Sequence, residues 1–544
     1  MNPVSERLGN WLPVLIALAL PLVYLPNLVD SFILPRASIV IAGACLGAGL
    51  ALLIPNKPRL EALKWPLLAA AAAALVAFVF SVSWPTSLVG SYTRYESLPV
   101  RLSYLGLVAV PVWLLRTELA RVALVATVVF GVSISCGEAI AQWALNVPFR
   151  PDGNLGNASL LGALVAMTLP LTLDRMLRFG WAAPFWFIAG AVQVAGLVVT
   201  TSRAGALGAF AGCLALGAFA LRGRAAAAAG AGATALVGVG LLLILFSPLR
   251  ALNADPGATR LRLYPDALHM VLARPIAGWG QDATGLVFGR FLTGDWSPGV
   301  TFDRAHSGPL DLGAMQGVLG LIALAWVLVV LTRGVWKWRF APPSAGAQAP
   351  PGGPLRLGPL GAALLGYSAW VLFNFDWAPA TGVFWLLAGT AWSSVRAREG
   401  AGEAPGEAPE PWTPRRHAGR TAAALGLVVV AIVLAVLPIL AEAWYWQGRP
   451  DLATRADPLQ SQYHRALGEQ LIAQGSRHEG LNELQLAAKL GSSDPALYVE
   501  IGDEQLRDGD TAAARADYQR ALTIDPYWGP AQRRLAGGAS LGSG

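Results

Sequence analysis

The chain has 544 residues, of which 55% are hydrophobic and only 13% are charged. Soluble domains carry roughly 25% charged residues, so this composition excludes an ordinary soluble enzyme and predicts an integral membrane protein. The formal net charge of +7 does not indicate a nucleic-acid partner, because the basic residues are scattered between apolar segments instead of clustering on one domain.

About thirteen apolar segments are long enough to cross a bilayer, which takes roughly 17–25 helical residues. Placing the N-terminus in the cytoplasm puts basic residues in every cytoplasmic connection, as the positive-inside rule requires. An odd number of spans then places the C-terminal part outside the cytoplasm. The predicted segments are 11–29, 37–54, 65–82, 98–115, 119–145, 158–174, 181–200, 203–221, 229–246, 316–332, 357–376, 379–395 and 422–441.

Several arginines fall on the extracytoplasmic face in this arrangement, where the positive-inside rule does not favour them. The planar guanidinium group binds phosphate through two parallel hydrogen bonds. We therefore interpret the set as a binding site for a polyanionic ligand at the membrane surface. The alternative is that they pair with nearby acids or extend along the lipid surface. The set consists of Arg94, Arg150, Arg203, Arg260, Arg262 and Arg274.

Two motifs predict helices that begin at this face. Asn157 can cap the helix that follows RPDGNLGNASLLG (150–162). In TTSRAGALGAFAG (200–212), Thr201 or Ser202 can cap the helix and Arg203 lies in its first turn. A helix N-terminus attracts anions, and arginine there is unfavourable unless an anion compensates. Arg203 is therefore the first candidate for binding a diphosphate.

A long polar and aromatic segment, 260–321, separates two apolar segments and is the predicted catalytic loop. His306 lies in it, at the entrance to an apolar helix and among arginines, and is the candidate catalytic residue; Asp303 would orient it. His269 is interpreted as structural. The outer loops contain no nucleophile elbow, metalloprotease motif, phosphate-binding loop or paired metal-binding aspartates, so we predict a transfer reaction without metal or cofactor.

Residues 450–544 are charged and alanine-rich, with a spacing of 34 residues between Gly475 and Gly509 and between Leu484 and Tyr518. That period is typical of tetratricopeptide repeats, which present a concave surface to peptide or protein partners. Packing on the membrane domain as a lid is the alternative role.

The predicted fold is all-α: a polytopic membrane protein of roughly 12–13 transmembrane helices with a large extracytoplasmic loop and a small α-solenoid. The predicted domains are N-terminal transmembrane helices (1–246), the catalytic loop (247–315), C-terminal transmembrane helices (316–441) and the repeats (450–544).

Five motifs in this order resemble the O-antigen ligase and O-antigen polymerase superfamily of bacterial envelope glycan transferases, and more narrowly its members with C-terminal tetratricopeptide repeats. They are GSYTRYESL (90–98), RPDGNLGNASLLG (150–162), TSRAGALG (201–208), RLRLY with RPIAGWG (260–280) and DRAHSGPLDLGAMQGVLG (303–320).

The resemblance implies a multi-pass protein of the bacterial inner membrane, an undecaprenyl-diphosphate-linked glycan as donor, and no required metal or nucleotide. It implies that His306 activates the acceptor hydroxyl and that Arg203 and Arg260 bind the diphosphate; Arg94 and Arg274 are weaker matches. The chain departs from the family pattern at His306-Ser307, where members usually have His-Asn, and at Met315-Gln316.

The main hypothesis is transfer of a glycan from a polyprenyl diphosphate to an acceptor hydroxyl on the external face. The acceptor could be a lipid A core sugar, a growing glycan chain, or a serine or threonine of a protein, and the repeats favour a protein partner slightly. The alternatives from other classes are a transporter of lipid-linked sugars and a non-catalytic scaffold.

Overall fold

The computed structural model describes residues 3–54, 57–178, 183–220, 257–341, 353–400 and 414–537. Within these ranges the chain forms helices joined by loops and contains no strand, so the predicted all-α class is confirmed. The predicted apolar segment 229–246 lies outside the described residues.

Fifteen α-helices make up the described membrane domain. A π-helical segment, Ile432–Val436, connects the last two of them. The helices are α1 (Pro3–Leu22), α2 (Ile33–Leu53), α3 (Lys64–Val79), α4 (Trp84–Val89), α5 (Leu98–Leu114), α6 (Glu118–Ala144), α7 (Ala158–Met176), α8 (Ala183–Val199), α9 (Arg203–Ala220), α10 (Gly257–Ala273), α11 (Gly308–Trp338), α12 (Leu357–Val371), α13 (Ala378–Gly400), α14 (Pro414–Ala431) and α15 (Leu437–Trp446).

Six of the described helical stretches are long and apolar enough to cross a membrane, and five shorter apolar helices accompany them. A multi-pass membrane protein is therefore confirmed. Helix α13 is less apolar, yet Val383, Leu386 and Leu387 on it are fully buried, because it occupies the centre of the bundle. The long stretches are Ile33–Leu53, Glu61–Val79, Glu118–Ala144, Ala158–Met176, Gly308–Trp338 and Ala418–Trp446.

One end of the bundle, which we call the basic end, collects the basic connections near residues 115–121, 174–178, 353–356 and 396–398. Arg121 pairs with Glu118 at 3.1 Å, and Glu118 accepts the Leu355 backbone N–H at 2.7 Å. Arg398 donates to the Leu355 carbonyl at 2.9 Å. These connections lie side by side, as expected of loops on one membrane face. Their assignment to the cytoplasm stays a prediction from the positive-inside rule.

The opposite end, the site end, carries the loops around 90–97, 150–157, 200–202, 274–307 and 372–377. The long loop is compact there. The Asp266 carboxylate accepts hydrogen bonds from the Thr293 hydroxyl at 2.9 Å and from Trp296 Nε1 at 2.7 Å. Because Asp266 belongs to α10, these bonds fasten the loop to the amphipathic helix that precedes it.

A break in α11 shows how the loop is anchored to the bundle. Gly317 has φ +62°, a left-handed conformation that interrupts the helix. The loop backbone replaces the interrupted helical hydrogen bonds: Trp279 N–H donates to the Ala314 carbonyl at 2.8 Å, and Val318 N–H donates to the Pro275 carbonyl at 2.7 Å. The RPIAGWG motif is thus held at the entrance of α11.

The C-terminal domain consists of helical hairpins. Their first helices begin at residues 461, 495 and 529, thirty-four residues apart each time, as the sequence period predicts. Its assignment as tetratricopeptide repeats stays a prediction. The helices are α16 (Pro450–Ala456), α17 (Ser461–Ala473), α18 (Arg477–Lys489), α19 (Pro495–Arg507), α20 (Thr511–Ile524) and α21 (Gly529–Ala536).

This domain lies over the site end. The Thr86 hydroxyl donates to the Leu490 carbonyl at 3.2 Å, and Gln460 Nε2 donates to the Gly90 carbonyl at 3.3 Å. The Tyr463 hydroxyl donates to Glu442 of α15 at 2.6 Å. The repeats therefore cover loops of the membrane domain.

Candidate functional site

The segment between α12 and α13, residues 373–377, is the structural centre of the site; we call it the FNFDW loop. The ring of Phe375 lies 5.1 Å from the ring of His306 and 5.0 Å from the Arg94 guanidinium group. Trp377 Nε1 donates to the Arg94 carbonyl at 3.2 Å. The motifs 90–98 and 303–320 therefore meet at this loop.

The other motifs reach the same loop. The Ser159 hydroxyl donates to Asn374 Oδ1 at 3.0 Å, which brings in the segment 150–162. Arg260 Nη1 donates to the Phe373 carbonyl at 3.1 Å. Gly162, one turn after Ser159 on α7, packs against the start of α9 so closely that a Cβ atom there would lie 2.6 Å from Ser202 Oγ. The structure thus brings together all of the motifs on which the resemblance depends.

His306 occupies a constrained position at the start of α11. Its φ of +57° is uncommon for a residue with a side chain. The buried carboxylate of Asp311 accepts the N–H groups on both sides of it, from Ala305 at 2.7 Å and from Ser307 at 3.2 Å. These two bonds stabilise the left-handed backbone and hold the imidazole against Phe375.

Asp303 forms a two-point ion pair with Arg94, at 2.6 Å and 3.2 Å. Burial favours the neutral acid, but Arg94, Arg304 and His306 outweigh it and hold the pKa of Asp303 below its ordinary value. The carboxylate therefore stays negative at neutral pH. A negative charge beside the imidazole stabilises the protonated histidine that forms when His306 accepts a proton.

Arg203 is the first residue of α9. Ser202 caps this helix, as predicted, by accepting the Gly205 N–H at 3.1 Å. Within the described part of the chain Arg203 forms no ion pair. Arg150 Nη2 donates to the Thr200 carbonyl at 2.9 Å, so this second arginine supports the turn that precedes α9.

Arg274 lies away from the FNFDW loop. Its guanidinium group donates to the Phe80 carbonyl at 3.3 Å and stacks over Trp279 at 4.3 Å. It lines a cavity shared with the C-terminal domain. Of the predicted site residues, the structure therefore gathers Arg94, Arg260, Asp303 and His306 around the FNFDW loop. It places Arg203 and Arg150 at the start of α9, and Arg274 at the interface with the repeats.

Comparison with known proteins finds one family match. Residues 185–325 match the family described as O-antigen ligase, and the match contains Arg203, Arg260 and His306. The match supports the predicted resemblance to the O-antigen ligase superfamily over these residues. No curated protein matches the sequence. Family and membrane helices together make it a multi-pass membrane protein with a glycosyltransferase-type function in envelope glycan assembly.

Sequence reasoning missed a buried ion pair beside the candidate site. Arg304 pairs with Asp282, and each side chain is only 1% exposed. The second oxygen of Asp282 accepts the backbone N–H groups of Ser91 at 2.8 Å and Glu96 at 3.1 Å. The pair therefore ties the residue two positions before His306 to the loop that carries Arg94.

A second buried network was also missed. Arg101 lies between Asp376 of the FNFDW loop, at 2.7 Å, and Glu96, at 3.3 Å. The Tyr104 hydroxyl donates to Glu96 at 2.6 Å. Burial, opposed by Arg101, raises the pKa of Glu96 to about 7.

One feature of the sequence could have indicated this second network. Arg101 is an ionisable residue inside the predicted span 98–115, and charges in spans generally mark functional or structural sites. Asp376 is likewise the last residue of the predicted span 357–376. The Arg304–Asp282 pair carries no comparable signal, because both residues lie in a polar loop.

Proposed function

We propose that this chain transfers a glycan from a polyprenyl diphosphate to an acceptor hydroxyl on the extracytoplasmic face of the bacterial inner membrane. One observation carries the proposal: His306 is held in a left-handed conformation at the point where the motifs of Arg94, Arg203 and Arg260 converge on the FNFDW loop.

His306 is the general base in this reaction. The acceptor oxygen attacks the anomeric carbon of the donor sugar, the acceptor proton passes to the imidazole, and the bond between the anomeric carbon and the diphosphate oxygen breaks. The carboxylate of Asp303 stabilises the resulting imidazolium. Arg94 keeps that carboxylate ionised and in place through its two-point ion pair.

The lipid diphosphate leaves with the negative charge that develops as the bond breaks. The free N–H groups at the start of α9 and the guanidinium group of Arg203 stabilise that charge. Arg260, which is anchored to the Phe373 carbonyl, contributes a second cation. A diphosphate is already a good leaving group, so the reaction as written draws on no metal or nucleotide. Arg150 supports this site through Thr200.

The acceptor approaches Asp303 from the side of the C-terminal domain. A cavity of about 310 Å³ is lined by Arg94 and Asp303 on the membrane-domain side and by residues 459–462 and 490–495 of the C-terminal domain. That volume is within the range of small-ligand sites, about 300–1,000 Å³. The C-terminal domain therefore contributes one wall of the acceptor entrance.

The test is glycan transfer in membranes that contain full-length protein and lipid-linked donor. We expect His306→Ala and Arg203→Ala to reduce transfer by at least about 100-fold, since general-base and charge-stabilising groups contribute on that order. His269→Ala is the matched histidine control from the segment 260–321 and should transfer normally. Full activity of correctly inserted His306→Ala protein would disprove the proposal.

Mass spectrometry of the products assigns the acceptor. Glycan on lipid A core sugars identifies a ligase, elongated lipid-linked glycan identifies a polymerase, and modified serine or threonine identifies an oligosaccharyltransferase acting on proteins. Glycan that crosses the membrane but stays on its original lipid would instead identify a transporter.

A further inference from the structure

The surface between the C-terminal hairpins and the long loop contains a second, larger cavity of about 580 Å³, which we call the repeat groove. Arg274 and Arg290 of the loop line one wall, and Lys489, Gln505 and Arg520 of the hairpins line the other. The proposed transfer chemistry uses none of these residues.

The repeat groove carries excess positive charge. Arg520 is balanced by Asp517 at 3.0 Å. Arg274, Arg290 and Lys489 form no ion pair within the described residues. Like charges that face one another without a counter-ion repel, so an anion bound between the two walls would be stabilised by all three.

A buried amide points to the same conclusion. Gln505 lines the groove and is only 9% exposed. Its Oε1 atom has no hydrogen-bond partner within the described residues. A buried acceptor of this kind is costly unless a donor reaches it, and a ligand hydroxyl in the groove would supply that donor.

The repeat groove is also adjacent to the proposed acceptor cavity. Gly285 lines the cavity at Asp303, whereas the next two residues, Leu286 and Val287, line the groove. On the opposite wall, Leu490 lines the acceptor cavity and Lys489 lines the groove. A chain molecule in the groove can therefore extend into the cavity at Asp303.

We propose that the repeat groove binds an acidic stretch of glycan, whose carboxylate or phosphate groups contact Arg274, Arg290 and Lys489 while a sugar hydroxyl donates to Gln505. The choice of a glycan over another polyanion rests on the proposed function. The groove then holds the growing or incoming polysaccharide beside the acceptor cavity and makes the enzyme selective for charged glycans.

The test uses purified full-length protein in nanodiscs and three labelled probes of similar length: oligogalacturonate, a neutral malto-oligosaccharide and polyglutamate. Oligogalacturonate should bind most tightly. Arg290→Gln combined with Lys489→Gln should weaken the binding of oligogalacturonate by at least about tenfold, because two charge-assisted contacts are lost. Gln505→Leu should weaken this binding as well. The matched control, Arg515→Gln with Arg533→Gln, removes the same charge from hairpin positions that do not line the groove and should bind as the wild type does.

Four results would overturn the proposal: no binding of oligogalacturonate, unaltered binding by the groove variants, equal weakening by the control pair, or tighter binding of polyglutamate, which would assign the groove to an acidic polypeptide. His306→Ala protein separates this inference from the proposed catalysis. The His306→Ala protein should bind oligogalacturonate as the wild type does. Normal glycan transfer by this variant would refute the catalytic role of His306 and leave the groove proposal standing. Unaltered oligogalacturonate binding by the groove variants would refute the groove proposal and leave the catalytic role standing.

Discussion

The two ends of the bundle use arginine differently. At the basic end, Arg121 pairs with Glu118 on the same helix, Arg178 pairs with Asp174 four residues before it, and Arg396 pairs with Glu399 at 2.5 Å and more loosely with Glu61 at 3.7 Å. At the site end, Arg94 and Arg101 each pair with an acid from another segment, 209 positions away in the case of Arg94, and Arg304 pairs with Asp282, 22 positions before it in the same long loop. A pair within one helix adds little to a helix that forms without it, whereas a long-range pair fixes two separate segments in one arrangement.

Burial differs from pair to pair instead of between the two ends: Arg121 and Glu118 at the basic end are each 8% exposed, whereas Arg94 and Asp303 at the site end are 24% and 28% exposed. The Arg304–Asp282 pair is almost completely buried. Breaking a buried pair by removing one partner leaves an uncompensated charge and costs about 3–5 kcal/mol, whereas exposed pairs contribute about 0–1 kcal/mol. The Arg304–Asp282 pair is therefore expected to contribute far more than the more exposed Arg396–Glu399 pair of the basic end.

Replacing Arg304 should have the largest effect. Arg304→Met leaves the buried Asp282 carboxylate with its two backbone N–H donors but without a counter-charge, so the free energy of unfolding should fall by about 3–5 kcal/mol and transfer should be lost. Thermal unfolding in detergent measures the first effect. The double variant Asp282→Asn with Arg304→Met should recover much of the stability; if it does not, the pair is not what holds the loop.

Asp311→Asn should have the second-largest effect, and it should lower turnover more than it weakens substrate binding. An amide oxygen can accept only part of what the carboxylate accepts from Ala305 and Ser307, so His306 should lose its fixed position. We expect kcat to fall by about 10–100-fold, as misplaced catalytic groups do, with KM for the donor little changed. Asp266→Asn disturbs a comparable set of hydrogen bonds in the same loop without touching His306, and should leave kcat near the wild-type value.

Glu96→Gln should change how stability depends on pH. In the folded protein the pKa of Glu96 is raised to about 7, from an ordinary 4.5 in the unfolded chain. The folded state therefore binds the proton more tightly, and its stabilising contribution is present below pH 4.5 and lost as the pH rises through about 7. The variant should lack this part of the decline, as unfolding scans between pH 4.5 and 8 would show. Parallel curves for the two proteins would contradict the raised pKa.

The smallest effect should come from the basic end. Arg396→Gln removes a pair with Glu399 on the same helix, at 2.5 Å, and a longer one with the half-exposed Glu61, at 3.7 Å. We expect the free energy of unfolding to change by at most about 1 kcal/mol and transfer to be unchanged. A loss as large as that of Arg304→Met would erase the distinction between the two ends.

Features that depend on neighbouring residues could be predicted from the sequence. Ser202 and Asn157 cap their helices as expected, since a cap needs only a side chain and the N–H groups two or three residues later. The hairpin spacing in the C-terminal domain follows from its period for the same reason. The apolar segments predicted helices because a chain in lipid must satisfy its own backbone hydrogen bonds.

The FNFDW loop could not be found in this way. Its aromatic residues are compatible with a lipid-facing helix, so the predicted span 357–376 included most of it. In the structure α12 ends at Val371, and the residues that follow bind side chains from α7, α10 and the loops before α5 and α11. Nothing within the segment itself specifies these partners.

The amino-acid sequence by itself determined the membrane class, the helices, the caps and the identity of the catalytic histidine candidate, because hydropathy, period and capping act over a few residues. Only the tertiary structure decided which charges meet. It pairs Asp303 with Arg94, Arg304 with Asp282 and Arg101 with Asp376. It also places Arg274 in the repeat groove, away from the FNFDW loop. Ion pairs between distant segments depend on how helices pack, and packing is a property of the whole bundle.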